Sequence, residues 1–555
     1  MEYDVRPAPV DRYNLAYIFL FLHGIGFLIP WNVFINAHEY FDYKLNTTTS
    51  YNSDYRTNLL SYFGFAAQFP SLCFAAWNTF YQNGLDNSTP RFRFLGCMIV
   101  EIIVLLLTII LALIDTSNIP GTFFIITIIC VVIINSCVGI HQTLTFGIAA
   151  VLPMKYSNAV IVGSNACGAI ISLVNIITKS LTLSTIKTHK SIVVAAVIFF
   201  LSAVLIIVAC IFTFFWLQRL KFVRYYSKLH RYDNHINESE NTHNCIQNNN
   251  THLKNTIPNV VISSKGSKES QQMLDHYSPT ISKSDFDEDD CNVAPNEKLL
   301  NSSSTKNLSK PLSTLTTTTA NNNNQLVISE KNDTNKECLM KKHHSTPTDG
   351  WYIIRNCFGL CCFKPPSGKE RCLNYWSKYS LTMKECWTQC FNIWNVFFCT
   401  LSIYPAVQSR VRPVNPEYII PSHWFVDVTC FLFFNLFAVL GCIVCNWIQF
   451  PGPRFLWIPV WLRTIFFIPF FLLCNFATDE NYRRYVLITN DHIYVLGSIV
   501  FAFSNGYLAS LGLMYAPRCC SLERAPLAGM FGAFFLILGV FTGVYASRGL
   551  NSLIY

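Results

Sequence analysis

The chain has 555 residues, of which 51% are hydrophobic and only 13% charged, with 45 Phe and 26 Tyr, and this places it among polytopic membrane proteins. Its net charge of +9 sits mostly in loops, where it bears on orientation in a bilayer rather than on nucleic acid. Many of the 22 cysteines, among them Cys130, Cys167, Cys210, Cys399 and Cys474, fall inside apolar runs, which argues against a secreted disulfide framework.

After a tail of residues 1–13, the first apolar segment runs from Asn14 to Phe41 (NLAYIFLFLHGIGFLIPWNVFINAHEYF). It is too long for a signal peptide and ends in Trp, Asn and Tyr rather than a small-residue cleavage site, so it reads as a membrane span. Pro30 and Asn32 in its second half require other parts of the protein to satisfy the freed backbone and the amide. A polar loop follows, with a glycosylation sequon at Asn46. Further spans are expected at Leu59–Gln82 with Gln68, Phe94–Ile114 with Glu101, Phe123–Leu152 with Asn135, His141 and Gln142, Asn158–Ile177, and Ser191–Leu217.

The composition then shifts to Asn, Ser, Thr, Lys and His, and residues 218–385 read as a largely disordered loop with too little apolar surface to offset ordering entropy. Within it Cys357, Cys361 and Cys362 read as plain interfacial cysteines, ahead of acylation sites or zinc ligands. Spans resume at Asn392–Ala406, Asp427–Trp447, Leu456–Cys474, Ile493–Met514 and Ala528–Tyr545. The pattern predicts eleven helices as a six-helix bundle (14–217) and a five-helix bundle (386–547), with a tail at 548–555. Arg91, Arg93, Lys155, the large loop, Arg454, Arg518 and Arg524 fall on one side with the N-terminus, which the positive-inside rule makes cytoplasmic. The C-terminus and Asn46 are then outside. Lys179, Lys187, Lys190, Arg410 and Arg412 run against this pattern.

Polar residues at membrane depth usually face a bundle interior or an aqueous cavity. Asn135 and Gln142 are seven apart on one helical face; His23, Phe27 and Trp31 form a stripe on the first helix, Asn435 and Cys442 on the eighth, and Asn505 starts another. For any single residue, interhelical packing is the plain account. As a set they point to a neutral polar cavity near the midplane, as in secondary transporters. Amides, indole and phenol suit a neutral heteroaromatic solute. There is no Walker loop, and Glu101 defines no ion relay alone, so passive, gradient-driven exchange is the simplest mechanism.

The first span with its Gly24-Ile25-Gly26 and Pro30-Trp31-Asn32 resembles the equilibrative nucleoside transporters. So do Phe503-Ser504-Asn505-Gly506-Tyr507, Ala528-Gly529 with Ala533-Phe534-Phe535, Ile134-Asn135-Ser136, Gln142 with Phe146-Gly147, and Phe434-Asn435 with Leu440-Gly441. The resemblance covers nearly all of the chain outside the central loop. It implies an all-α polytopic membrane protein, the 11-helix relative of the major facilitator fold, that moves nucleosides in both directions by alternating access. It also implies no catalysis, cofactor or metal, with a small-molecule substrate, the lipid bilayer of the plasma membrane as surroundings, and no nucleic acid partner. Trp31 is expected to flank the base, Gln142 to bond its edge and Asn435 to line the cavity, with Gln68, Asn135 and Asn505 completing the lining. The family's Asp and Arg for the ribose correspond to Ala438 and Cys442 here, so both charges are gone and nucleobases enter as substrates beside nucleosides. His23 and His141 stand where the family has apolar residues; each is expected to hydrogen-bond between helices, with a ribose donor or a neutral-pH titration as the sharper alternative. Arg463 matches a family arginine and is expected to anchor a helix or join the bundles. Two rivals stay open: an organic-cation or monoamine carrier using Glu101 or His23, and a receptor or scaffold working through the central loop.

Overall fold

A chain in lipid must satisfy its backbone polar groups internally, and helices do so within each segment. The computed structural model describes residues 8–45, 59–81, 89–116, 119–182, 189–230, 369–476 and 486–554. Helix α1 (Leu15–Asn36) is followed by a short α2 (His38–Leu45), then α3 (Leu59–Phe80), α4 (Thr89–Leu113), α5 (Pro120–Ala150), α6 (Met154–Thr182) and α7 (His189–Arg219). The second half holds α8 (Lys369–Ile403), α9 (Ser422–Val444), α10 (Trp457–Leu472), α11 (Asp491–Tyr515) and α12 (Ala525–Ser552). Residues 427–432 of α9 form a π-helical stretch. No sheet forms among the described residues; an isolated antiparallel bridge pairs Val411 with Phe476. The Asn46 sequon, Cys357, Cys361, Cys362 and most of the central loop lie outside the described residues.

Among the described residues nine helices are long and apolar enough to cross a membrane: α1, α4 to α9, α11 and α12. Their outward sides are apolar, with Ile198, Leu205, Phe212 and Leu496 each more than 60% exposed. Such a belt suits hydrocarbon and not water. Helix α10, at 16 residues, is shorter, and α3 is interrupted by Gln68, Ser71 and Asn78. Helix α8 begins at Lys369, well before the expected start at Asn392, and residues 221–230 are also helical. The early turns of α8 are polar because they sit at one end of the structure, where Lys378 pairs with Glu523 at 2.5 Å and Glu385 with Arg524 at 2.8 Å.

Without a hydrophobic force between helices in lipid, close backbone approach carries much of the packing. A methyl on Gly24 would lie 2.2 Å from the Val160 carbonyl oxygen, and one on Gly163 would lie 2.0 Å from that of Phe21, so α1 and α6 touch through their backbones. The α9–α11 crossing is built the same way from Gly441 and Gly506. The halves are joined by α6, which runs along α9 and also meets α11, and by α12, which packs on α5 and α3. An apolar cluster including Phe146, Tyr156, Ile393, Leu513 and Phe531 closes the joint at the end where Arg518 donates to the Leu152 carbonyl.

Candidate functional site

Asn32, two residues after Pro30, donates to the Leu28 carbonyl at 3.1 Å and to the Cys167 sulfur of α6 at 3.6 Å. The neighbouring Gly168 leaves room for Asn435, whose Oδ1 occupies the place a methyl would take. Asn435 Nδ2 donates to Ser172 Oγ of α6 at 3.1 Å, to Tyr404 OH at 3.4 Å and to the Phe431 carbonyl at 2.9 Å. The chain Asn32–Cys167–Gly168–Asn435 therefore holds Trp31 and Asn435 at one depth, on either side of α6. Tyr404 stacks on Phe434 at 3.8 Å and walls the second half of this layer.

Gln142 is on α5, next to His141, which faces Phe27 of α1 with ring centres 6.1 Å apart. Trp31 lies one turn along α1 from Phe27. Among the described residues the side chains of Trp31, Gln68 and Gln142 make no hydrogen bond, and the Gln142 amide, though the residue is only 7% exposed, is not sealed. Such an uncommitted amide between helices is unusual, since a buried polar group ordinarily finds a protein partner.

The other predicted residues are engaged or enclosed. Asn135 donates to the Val131 carbonyl of its own helix at 2.8 Å. Asn505 accepts from Thr400 Oγ1 at 2.8 Å. Ala438 is fully buried with its backbone against Gly506. The Cys442 thiol donates to the Gly506 carbonyl at 3.4 Å and accepts from Asn165 of α6 at 3.3 Å. Gln68 lies on the far side of the Ser71–Gly139 contact from Gln142, so it is not in the same layer.

His23 and His141 depart from expectation. Neither is hydrogen-bonded between helices: both are exposed to 1% or less and, with Glu101, face one another inside the first half of the chain. Arg463 does anchor α10, donating to Ser504 Oγ, the Val396 carbonyl, Thr400 Oγ1 and the Phe501 carbonyl over 2.9–3.2 Å, but every partner belongs to the second half, so it does not join the halves. Sequence reading assigned no role to Asn158 or Asn165, which reach from α6 to α9; Asn158 donates to the Cys442 carbonyl at 2.7 Å. Their seven-residue spacing on one face was the available signal. Lys179, which sequence reading used only as a charge against the expected orientation, pairs with Asp427 and donates to the His423 carbonyl at 3.1 Å across the other end of the same joint.

A family model described as nucleoside transporter matches residues 128–277 and 309–549. Equilibrative nucleoside transporter 1 of Homo sapiens is 25% identical over 565 residues, covering 97% of each chain. Equilibrative nucleoside transporter 2 of Homo sapiens is 26% identical over 97% of each chain, and equilibrative nucleoside transporter 3 of Rattus norvegicus is 25% identical over 96% of this chain and 88% of its own. With more than half of its length matched by the family model, this all-helical chain belongs to the equilibrative nucleoside transporters, a family of membrane transporters and not of enzymes.

Proposed function

We propose that the protein is a facilitative, bidirectional carrier of nucleosides that also accepts nucleobases. The observation that carries this reading is the uncommitted Gln142 amide near Trp31, within two turns of the layer where Asn435 meets α6. Trp31 offers a face for a base, Gln142 an acceptor and a donor for its edge, and Asn435 closes the opposite side. Eleven spans, the nine above with α3 and α10, form bundles of six and five that rock about this layer. The end bearing Arg518 is cytoplasmic and closed in this state, the C-terminus lies outside, and the carrier works in the plasma membrane. Ala438 and Cys442 offer no charge to ribose hydroxyls, which shifts recognition toward the base. The cation-carrier rival needs an acid in the cavity, whereas Glu101 is sealed beside His141, which favours neutral substrates.

The test is uptake of radiolabelled adenosine and hypoxanthine in cells lacking their own carriers, with Gln142→Ala alongside. Saturable uptake of both is expected, and the variant should reach the membrane with affinity lowered by about tenfold, the worth of one well-placed hydrogen bond. Unchanged kinetics in Gln142→Ala would remove it from the site, and uptake of a monoamine in preference to either solute would overturn the reading.

A further inference from the structure

Three ionisable side chains meet inside the first half of the chain, away from the Trp31–Asn435 layer. His23 comes from α1, Glu101 from α4 and His141 from α5, and their relative exposures are 1%, 0% and 0%. His141 Nδ1 lies 3.4 Å from Glu101 Oε1. The two imidazoles meet edge to face with centres 6.1 Å apart, and Phe94 packs on both, at 5.4 Å from His23 and 5.0 Å from His141. Phe214 of α7 stacks on Phe94 at 4.5 Å and seals that side. All six ring nitrogens and carboxyl oxygens are buried, and none forms a well-aligned hydrogen bond.

The surroundings offer little charge. Helix α7 contributes the Cys210 thiol, which is committed to the Leu22 carbonyl at 3.5 Å. On α4 the nearest cation is Arg93, two turns away and bonded to Asn78 of α3. On the other face of α1, Cys167 of α6 is taken by Asn32. Among the described residues no lysine or arginine pairs with the cluster, and no group of three or more potential ligands is placed to hold a metal ion.

Charge balance fixes how many protons this dry cluster holds. With one proton it is neutral overall, either as un-ionised Glu101 donating to His141 or as a carboxylate beside imidazolium. With none it carries an uncompensated negative charge, and with two an uncompensated positive one; isolated charges in such surroundings are costly. Glu101 and His141 are two seats for one proton, and the second imidazole, His23, 6.1 Å from His141, opposes a second proton; together they make a site for a single proton. Any conformation that admits water between α1, α4 and α5 relaxes that requirement.

We infer that His23, Glu101 and His141 form a proton-binding site that holds one proton when the first half of the chain is packed as here and can release it when these helices part. The proton passes to and from water, and only O–H and N–H bonds form or break. Because α1 carries both His23 and Trp31, proton occupancy is coupled to the conformational cycle; this coupling rests on the transport reading, while the proton site does not. Above about pH 6.5, where exposed imidazoles are mostly neutral, the packed state binds more protons than an opened one, so it weakens as pH rises, by up to tenfold in population per pH unit for one proton.

The site is tested first without substrate, by thermal unfolding of the purified protein between about pH 7 and 9, above the ordinary titration of exposed histidine. The wild type should lose stability toward alkaline pH. Glu101→Gln, a neutral isostere, should lose that slope, and Glu101→Gln with His141→Leu is the second variant should the first fail to fold. A wild-type melting temperature indifferent to pH, or a slope that survives in either variant, overturns the site. Adenosine uptake over the same range then tests the coupling: it should fall on the alkaline side in the wild type and flatten in Glu101→Gln. A surviving difference in unfolding slope with no uptake of any nucleoside would uphold the proton site and reject the transport reading. Uptake with the same pH profile in both proteins would reject the coupling.

Discussion

Gly506→Ala tests the helix crossing on which the second half is built. An added Cβ would lie 1.9 Å from the Ala438 carbonyl oxygen, 2.7 Å from its carbon and 3.0 Å from its Cα, where ordinary contact begins near 3.4 Å. The atoms met are backbone, so no side chain can swing aside, and α9 and α11 must part by about 1.5 Å. Gly441 one turn away, against the Phe503 carbonyl at 2.2 Å, prevents a purely local bulge. Parting also stretches the Cys442 thiol bond to Gly506 and the Cys445 bond to Tyr507 at 3.1 Å. Overpacking of this kind costs about 1–3 kcal/mol, and the better helix propensity of alanine returns up to about 1 kcal/mol. A net loss of about 2 kcal/mol is expected in thermal unfolding of the detergent-purified protein. Gly64→Ala is the control, because nothing lies within 4 Å of its added methyl and only the propensity gain remains. If Gly506→Ala melts at or above Gly64→Ala, the close crossing is not what holds these helices.

The Lys179–Asp427 pair is 46% and 29% exposed, so its removal should alter stability by no more than about 1 kcal/mol. Because it bridges α6 and α9 at the end opposite Arg518, Lys179→Ala should change the rate of uptake more than the melting temperature, and a charge swap at both positions should restore it; an effect on melting alone would contradict this. Asp491 accepts from the backbone of Val414 and Asn415, both at 2.9 Å, and Asp491→Ala leaves two donors unpaired. A loss of about 2–4 kcal/mol is expected, with hydrogen exchange rising at residues 411–421; a silent substitution would mean that this loop is held by other contacts.

Much of the helical plan was legible in the sequence, because a membrane makes apolar length nearly sufficient to define a helix. The nine helices long enough to cross lie at expected spans, and their ends moved by a few residues except in α8 and in α12, which runs on to Ser552 through most of the expected tail. There the polar turns from Lys369 belong to the same helix, and hydropathy is blind to helix that continues beyond the lipid. Which polar residues remain available was not legible. Gln142 and Asn435 look alike as amides in apolar helices, yet Asn435 is committed across the α6–α9 joint and Gln142 makes no bond. Arg463 was readable as an anchor, but its partners, all in the second half, were not.

Composition and hydrophobic length alone determined the class and most of the helices, because burial in lipid leaves few ways to satisfy a backbone. The pairing of the two halves through α6 and α9, the layer joining Trp31 to Asn435, and the meeting of His23, Glu101 and His141 were decided only by tertiary structure. Each depends on which faces of distant helices come together, and that is set by backbone contact at a few glycines and by single hydrogen bonds, which hydropathy does not encode.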